Sequence, residues 1–271
     1  LVWLLASLCA PVARPAFAEA PVRLRLATTT STENSGLIDY LFPDFESACA
    51  CKVDVIAVGT GKALRLGAGG DVDILLVHDP AREKEFVADG HGIYRRQVMY
   101  NDFVIVGPPS DPAAVSGASN AAVAMATIAR KHSAFVSRGD QSGTHAKEKG
   151  LWGQAKLDPQ GQWYRETGLG MAATLQIADQ MKAYALSDRG TFLALSDGLG
   201  LKVLVEGGES LLNYYSVIPV RNPGGSAETA SLVESFVEWL ASAPTQERID
   251  AFRVHGQTLF HSIKQLAPGS S

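Results

Sequence analysis

A chain of 271 residues, 46% hydrophobic and 19% charged, is long enough to build one large or two modest cores and carries no low-complexity tract. Its formal net charge of −4, with Lys and Arg scattered rather than striped, argues against a nucleic-acid surface. A mildly acidic protein can still hold an anion, because a few fixed donors decide affinity while the bulk field only steers encounter.

In chain order, residues 1–10 (LVWLLASLCA) are apolar, and Ala16-Phe17-Ala18 is a small-x-small cleavage pattern. The run is too short to span a bilayer as a helix. We read 1–18 as signal peptide, with cleavage after Ala18 and export to the periplasm. Leu8 is a poor neighbour for Cys9 as a lipid-anchor cysteine. Residues 22–27 (VRLRLA) alternate apolar and charged, a half-buried strand that runs into Thr28-Thr29-Thr30-Ser31-Thr32. Residues 36–45 place Leu37, Tyr40 and Leu41 at helical spacing. Cys49 and Cys51 would close a very tight disulfide in an oxidising compartment or stay as two thiols. Such a small ring stabilises little, and two thiols are too few for zinc.

Residues 52–58 (KVDVIAV) form a second strand, closed by Gly59-Thr60-Gly61. A short helix over 62–66 follows, and 73–77 is a third, more buried strand. This strand–helix–strand–helix–strand order implies a parallel sheet with right-handed crossovers. The segment 98–107 is the first crossing between two lobes. A helix near 121–131 and a strand at 133–136 lead into Ser137-Arg138-Gly139-Asp140-Gln141-Ser142-Gly143-Thr144-His145, and 144–152 is helical. Residues 171–184 form an amphipathic helix, 190–195 a short strand or turn, and 211–220 the return crossing. A clear helix over 231–241 has Val233, Phe236, Val237 and Leu240 on one face. The expected division is lobe 1 over 19–106, lobe 2 over 107–215 and a lobe 1 return over 216–271.

The polar loops carry the chemistry. Every oxygen of a fully ionised tetrahedral anion is an acceptor, so its pocket must offer backbone N–H, Ser and Thr hydroxyls, and Arg. Helix N-termini add free N–H groups and a favourable dipole. Thr28–Ser31, Gly59–Gly61 and Gly139–Thr144 each sit where a strand turns into a helix, and strand carboxyl ends are where an open α/β sheet places its ligand crevice. Other readings of these residues are weaker. A Thr/Ser run before a helix is often only an N-cap. Gly59-Thr60-Gly61-Lys62 lacks the upstream Gly and the Ser/Thr after Lys of a phosphate loop, and Gly67-x-Gly69-Gly70 precedes a strand rather than a helix. His145 and Glu148 have no third metal ligand nearby, and a Ser142/His145 hydrolase has neither a nucleophile elbow nor an acid partner.

Taken together, ATTTST (27–32), VIAVGTGKAL (55–64), GDVDILLVHDP (70–80), SRGDQSGTHAKE (137–148) and the stretch from Trp163 through ALSDRGTF (185–192) resemble the periplasmic tungstate-binding proteins of TupA-type ABC transporters. The resemblance covers nearly the whole mature chain. It implies a two-lobed class II periplasmic binding protein fold, α/β with mainly parallel sheets flanked by helices and the ligand cleft between lobes. It implies tungstate as ligand, no cofactor, no metal ligation by the protein, and no catalysis. The implied contacts are Thr29, Thr30 and Ser31 with Thr60 on lobe 1, and Arg138, Gly139, Ser142 and Thr144 on lobe 2. Arg138 is expected to be the only full positive charge on the ligand, with Asp140 pointing away or fixing the loop. The implied partner is a membrane permease, met by a monomer. Phosphate, molybdate or sulfate are the alternative ligands on this fold, and an anion-hole enzyme the alternative class.

Overall fold

The computed structural model describes residues 21–222, 224–254 and 256–263. The expected signal peptide and cleavage point, and Cys9, lie outside them. Strand β1 (Arg23–Thr29) leads into α1 (Thr30–Asn34) and α2 (Leu37–Cys49), β2 (Lys52–Val58) into α3 (Thr60–Ala68), and β3 (Ile74–Val77) into α4 (Pro80–Ala88). Both β2 and β3 pair with β1 in parallel, so that Leu26 faces Val55 on one side and Ile74 on the other. That is the arrangement which the alternation of strand and helix patterns implies. On α2, Leu37 and Leu41 are buried together with Ile38, Phe42 and Phe45. Tyr40 falls off that face. It is partly exposed, beside Phe252 and under the Arg248 guanidinium at 4.5 Å. Cys49 and Cys51 are joined as a disulfide.

Strand β4 (Arg96–Gly107) is followed by α5 (Ala121–Arg130), β5 (Phe135–Ser137), α6 (Gly143–Gln154), β6 (Tyr164–Glu166) and α7 (Met171–Gln180). Then come β7 (Ala185–Asp188), α8 (Arg189–Leu195), β8 (Lys202–Val205), β9 (Leu212–Pro219), α9 (Ala227–Ala241) and α10 (Ala243–Ala251). A ribbon of β10 (Arg253–Val254) with β11 (Gln257–Thr258) and a short β12 (His261–Ser262) end the described chain.

The main sheet runs β12-β4-β9-β3-β1-β2, with β7 and β8 pairing on the far half of β4. From Arg96 to Asp102, β4 pairs with β9; from Phe103 onward it pairs with β7 and β8. The sheet is therefore mixed. Parallel pairing holds among β1, β2 and β3 and between β5 and β6, whereas β4 and β9 are antiparallel. A chain that leaves one lobe and returns must traverse the junction in opposite directions, and two adjacent crossings then pair antiparallel.

Both faces of the sheet are covered. Leu24, Leu26, Leu41, Phe45, Phe236 and Leu240 form one core beneath α2 and α9, with Ala27, Leu75, Val77, Phe86 and Ile218 on the opposite face. In the second half, Phe103 and Ile105 join Phe135, Trp152 and Tyr184, while Val104 and Val106 join Val136 and Leu175. Alternate residues of β4 thus enter different cores, as a period of two requires. The face predicted for the helix over 231–241, within α9, is buried at all four positions.

Two expectations fail locally. The helix over 171–184 stops at Gln180, because Lys182 takes a left-handed φ of 51° and turns the chain into β7. Residues 190–195, expected as a strand or turn, form α8. The Asp188 carboxylate accepts from the Thr191 N–H and hydroxyl at 2.8 Å each, an N-cap that starts the helix.

Candidate functional site

The carboxyl ends of β1, β2 and β5 feed helices α1, α3 and α6. A helix leaves its first N–H groups without intrahelical acceptors, and its dipole favours negative charge there. The starts of α3 and α6 line the same cleft of about 570 Å³, with Thr60, Gly61 and Lys62 from one and Arg138, Ser142 and Gly143 from the other.

Local chemistry shapes the loop before α6. Ser142 caps the helix, its Oγ accepting from the His145 N–H at 3.3 Å, while its hydroxyl also hydrogen-bonds the Asp140 carboxylate. Gly139 has φ of 61°, and a Cβ added there would stand 2.7 Å from the Glu166 Cβ. Only glycine fits both the conformation and the approach of β6. Gln141, also left-handed, donates its N–H to His145 Nδ1 at 3.1 Å. Asp140 Oδ2 accepts from Arg138 Nε at 3.0 Å and Nη2 at 2.6 Å, and Oδ1 accepts from the Ser142 N–H at 3.1 Å. Burial opposes ionisation of Asp140, but its Ser142 and Arg138 contacts outweigh burial and hold the carboxyl below its usual range. Asp140 therefore frames the loop and presents Arg138 already partnered.

The lobe 1 residues lie deeper. Thr29, 4% exposed, caps α1 by accepting from the Thr32 N–H at 3.3 Å, and its Oγ1 is 3.1 Å from Ser31 Oγ. Thr30 is exposed and Ser31 half-buried at the start of α1. Thr60 and Thr144 are each 6% exposed, at the starts of α3 and α6. Of the expected contacts, Thr60, Arg138 and Ser142 line the cleft; Thr29, Thr30, Ser31, Gly139 and Thr144 are not among its lining residues. The two polar loops nevertheless meet at one imidazole. His78 Nε2 lies 3.2 Å from Thr29 Oγ1, and a Cβ on Gly143 would stand 3.5 Å from His78 Cε1.

Several residues at the site escape sequence reasoning. His78 stacks on Tyr215, ring centroids 4.7 Å apart, and its Nδ1 lies 3.1 Å from Asn213 Oδ1. Asn213 and Tyr215 arrive on β9, more than a hundred residues later, and no local spacing announces the contact. Besides Arg138, the side chains of Lys62, Arg65 and Arg82 line the cleft. Guanidinium nitrogens of Arg82 and Arg65 lie 3.6 and 3.7 Å from a Cβ position on Gly61. Arg82 reaches Asp79 at 3.5 Å, whereas the side chains of Lys62 and Arg65 have no ion-pair partner among the described residues. The Gly-Thr-Gly-Lys turn was the available signal for Lys62, and Arg82 joins it only through the placement of α4.

Glu148 accepts from Trp152 Nε1 at 3.1 Å and from the Tyr164 hydroxyl at 2.8 Å, so it turns to different partners from His145. Ser142 Oγ meets the backbone of His145, not its ring. Among the described residues no group of three or more His, Cys, Asp or Glu is placed to hold a metal ion.

The PBP superfamily domain profile matches residues 15–244. The tungstate-binding protein TupA of Peptoclostridium acidaminophilum is 44% identical over 239 residues, covering 87% of this chain and 84% of that protein. The chain belongs to the TupA family. Among solved structures, the tungstate-binding protein TupA from Desulfovibrio alaskensis G20 superposes with a TM-score of 0.83 at 47% identity, over 90% of this chain and 99% of its own. A tungstate ABC transporter structure from Geobacter sulfurreducens gives 0.78 at 44% identity, over 86% of this chain and all (100%) of its own.

Proposed function

We propose that this protein captures tungstate outside the cytoplasm and delivers it to the permease of an ABC transporter, as a monomeric binding protein and not an enzyme. The observation that carries the reading is one cleft lined by the N-termini of two helices, with Thr60, the capping Ser142 and Arg138. TupA relatives supply the ligand, and the transporter structure the partner. Periplasmic export follows from cleavage after Ala18. The lobes divide at 19–106, 107–215 and 216–271, a division supported by the exchange of partners along β4. The anion is held by Thr29, Thr30, Ser31 and Thr60 on one side and Arg138, Gly139, Ser142 and Thr144 on the other. No cofactor takes part.

Asp140 bears on the choice between tungstate and phosphate. Phosphate keeps a proton near neutral pH and needs a carboxylate to accept it. Both Asp140 oxygens are already committed, to Arg138 and to the Ser142 N–H, which favours a fully ionised dianion. Selection over sulfate rests on cavity size, because metal–oxygen bonds are longer. Calorimetric titration of the ligand-free protein with tungstate, molybdate, sulfate and phosphate tests the proposal. Tight tungstate binding is expected; tight phosphate binding with none for tungstate would sink it.

A further inference from the structure

The Thr29 hydroxyl has one proton and more than one claimant for it, and its neighbours determine where that proton points. Asn213 Nδ2 donates to Asn101 Oδ1 at 2.7 Å, and Asn101 Nδ2 donates to the Tyr215 hydroxyl at 3.2 Å. With its amide nitrogen committed to Asn101, Asn213 turns its oxygen toward His78 Nδ1, 3.1 Å away. An amide oxygen only accepts, so Nδ1 carries the hydrogen. In a neutral imidazole the other nitrogen is then a bare acceptor. In the Thr29–His78 hydrogen bond, at 3.2 Å, Thr29 Oγ1 is then the donor, and in its 2.7 Å contact with Thr32 Oγ1 it accepts. In the ligand-free protein the Thr29 proton is directed into the protein.

A dianion offers acceptors only, and a Thr29 hydroxyl turned toward His78 would meet it with a lone pair. One proton added to His78 Nε2 from solvent reverses the polarity of this contact. Nε2–H then donates to Thr29 Oγ1, and the Thr29 proton turns to the anion. The same step sets a positive charge behind the dianion.

We infer that His78 takes up one proton when the dianion binds and acts as a positioning residue that aims the Thr29 hydroxyl. This rests on the proposed binding of an oxyanion at Thr29. The groups around the ring fit such a role. Burial holds His78 below its ordinary range, more strongly than Asn213 and the carboxylates of Asp188 and Asp79 raise it, so the unliganded ring is neutral. Tyr215 beneath it is also buried, which pushes its phenol up and keeps it uncharged. At the Cε1 edge of the ring, 3.5 Å from a Cβ position on Gly143, that residue brings backbone and no titratable group.

Linkage sets the sign. The complex holds one proton more than the free protein wherever pH lies between the unliganded and liganded pKa of His78. Affinity therefore falls as pH rises through that window, by at most about tenfold per pH unit. Tungstate binding is measured by calorimetry from about pH 7 to about pH 9 in two buffers of different ionisation enthalpy, where the slope of observed enthalpy against buffer enthalpy counts protons. Uptake approaching about one proton is expected, and it should disappear in His78→Gln. The glutamine amide can donate to Thr29 without a proton, so that variant should still bind tungstate, with an affinity that no longer follows pH. Unfolding curves check that it folds. Binding with no buffer dependence in the parent protein, or uptake that persists in a folded His78→Gln, would overturn the role of His78 and leave the binding reading intact. No tungstate binding at any pH would overturn both.

Discussion

Gly139→Ala puts the geometry of the lobe 2 loop to a quantitative test. Left-handed backbone costs an L-residue with a Cβ about 1–2 kcal/mol. At φ of 61° the new methyl would also stand 2.7 Å from the Glu166 Cβ and 3.4 Å from its Cα. A Cβ is fixed to its backbone, so no rotamer change relieves that contact and β6 itself must move. Overpacking of this kind costs about 1–3 kcal/mol. The expected loss of stability is therefore about 2–5 kcal/mol, read from urea unfolding of the ligand-free protein, with weakened tungstate binding because Arg138 and Ser142 ride on the displaced loop. Gly150 is the control. It lies within α6, and an added Cβ there meets nothing within 4 Å. Gly150→Ala should stabilise by about 0.5–1 kcal/mol through helix propensity. A Gly139→Ala protein within about 0.5 kcal/mol of the parent would refute the argument, since that is the range of a neutral surface change.

Arg138→Ala should weaken tungstate binding by about 2–5 kcal/mol, the scale for one partner of a buried charge pair. A loss under about 0.5 kcal/mol, no more than an exposed ion pair contributes, would place Arg138 away from the anion. Replacing Lys62, Arg65 and Arg82 together by Gln should slow association at low ionic strength by about tenfold, the lower end of electrostatic steering, and leave dissociation nearly unchanged. Stopped-flow rates that show the same salt dependence in both proteins would contradict a steering role. Lys147 offers a pH test. Its ammonium donates to the Leu212 carbonyl at 2.8 Å and lies over the Phe103 ring, and burial pulls its pKa down to about 8. Between about pH 8 and about pH 10.4 the unfolded chain then binds more protons than the folded one, so this group's contribution to stability rises with pH there and is flat below. The depressed pKa corresponds to about 3 kcal/mol, partly offset by about 1 kcal/mol from the carbonyl hydrogen bond. Lys147→Met should stabilise at neutral pH by about 2 kcal/mol and remove that rise; destabilisation at neutral pH would show the opposite balance.

Much of lobe 1 was legible from local pattern. The alternation of 22–27, the apolar run of 73–77 and the helical spacing between them specify strands and helices that can form a sheet only by crossing over in parallel, as β1, β2 and β3 do. The Ser/Thr and Gly-rich loops were equally visible, because capping residues and left-handed glycines are properties of a few neighbouring residues. Failures came where local signals conflicted with packing. Residues 181–184 continue an apolar helical pattern, yet the chain breaks at Lys182 and Tyr184 is buried in the second lobe's core. Tyr40 satisfied the helical spacing but lies beyond the strip that α9 and the sheet cover.

The site divides in the same way. Sequence by itself determined the donor list: hydroxyls, glycines and one arginine at strand-to-helix turns, which is the chemistry of an oxyanion pocket. Only the tertiary structure decided which other groups share that space. Arg82 reaches the Gly61 turn from α4, and Asn101, Asn213 and Tyr215 arrive on two crossing strands to set the hydrogen-bond direction at His78. The contacts at His78 depend on the antiparallel pairing of β4 with β9, which joins segments more than a hundred residues apart. A donor can be read from one residue; the direction in which it donates depends on every neighbour that competes for its proton.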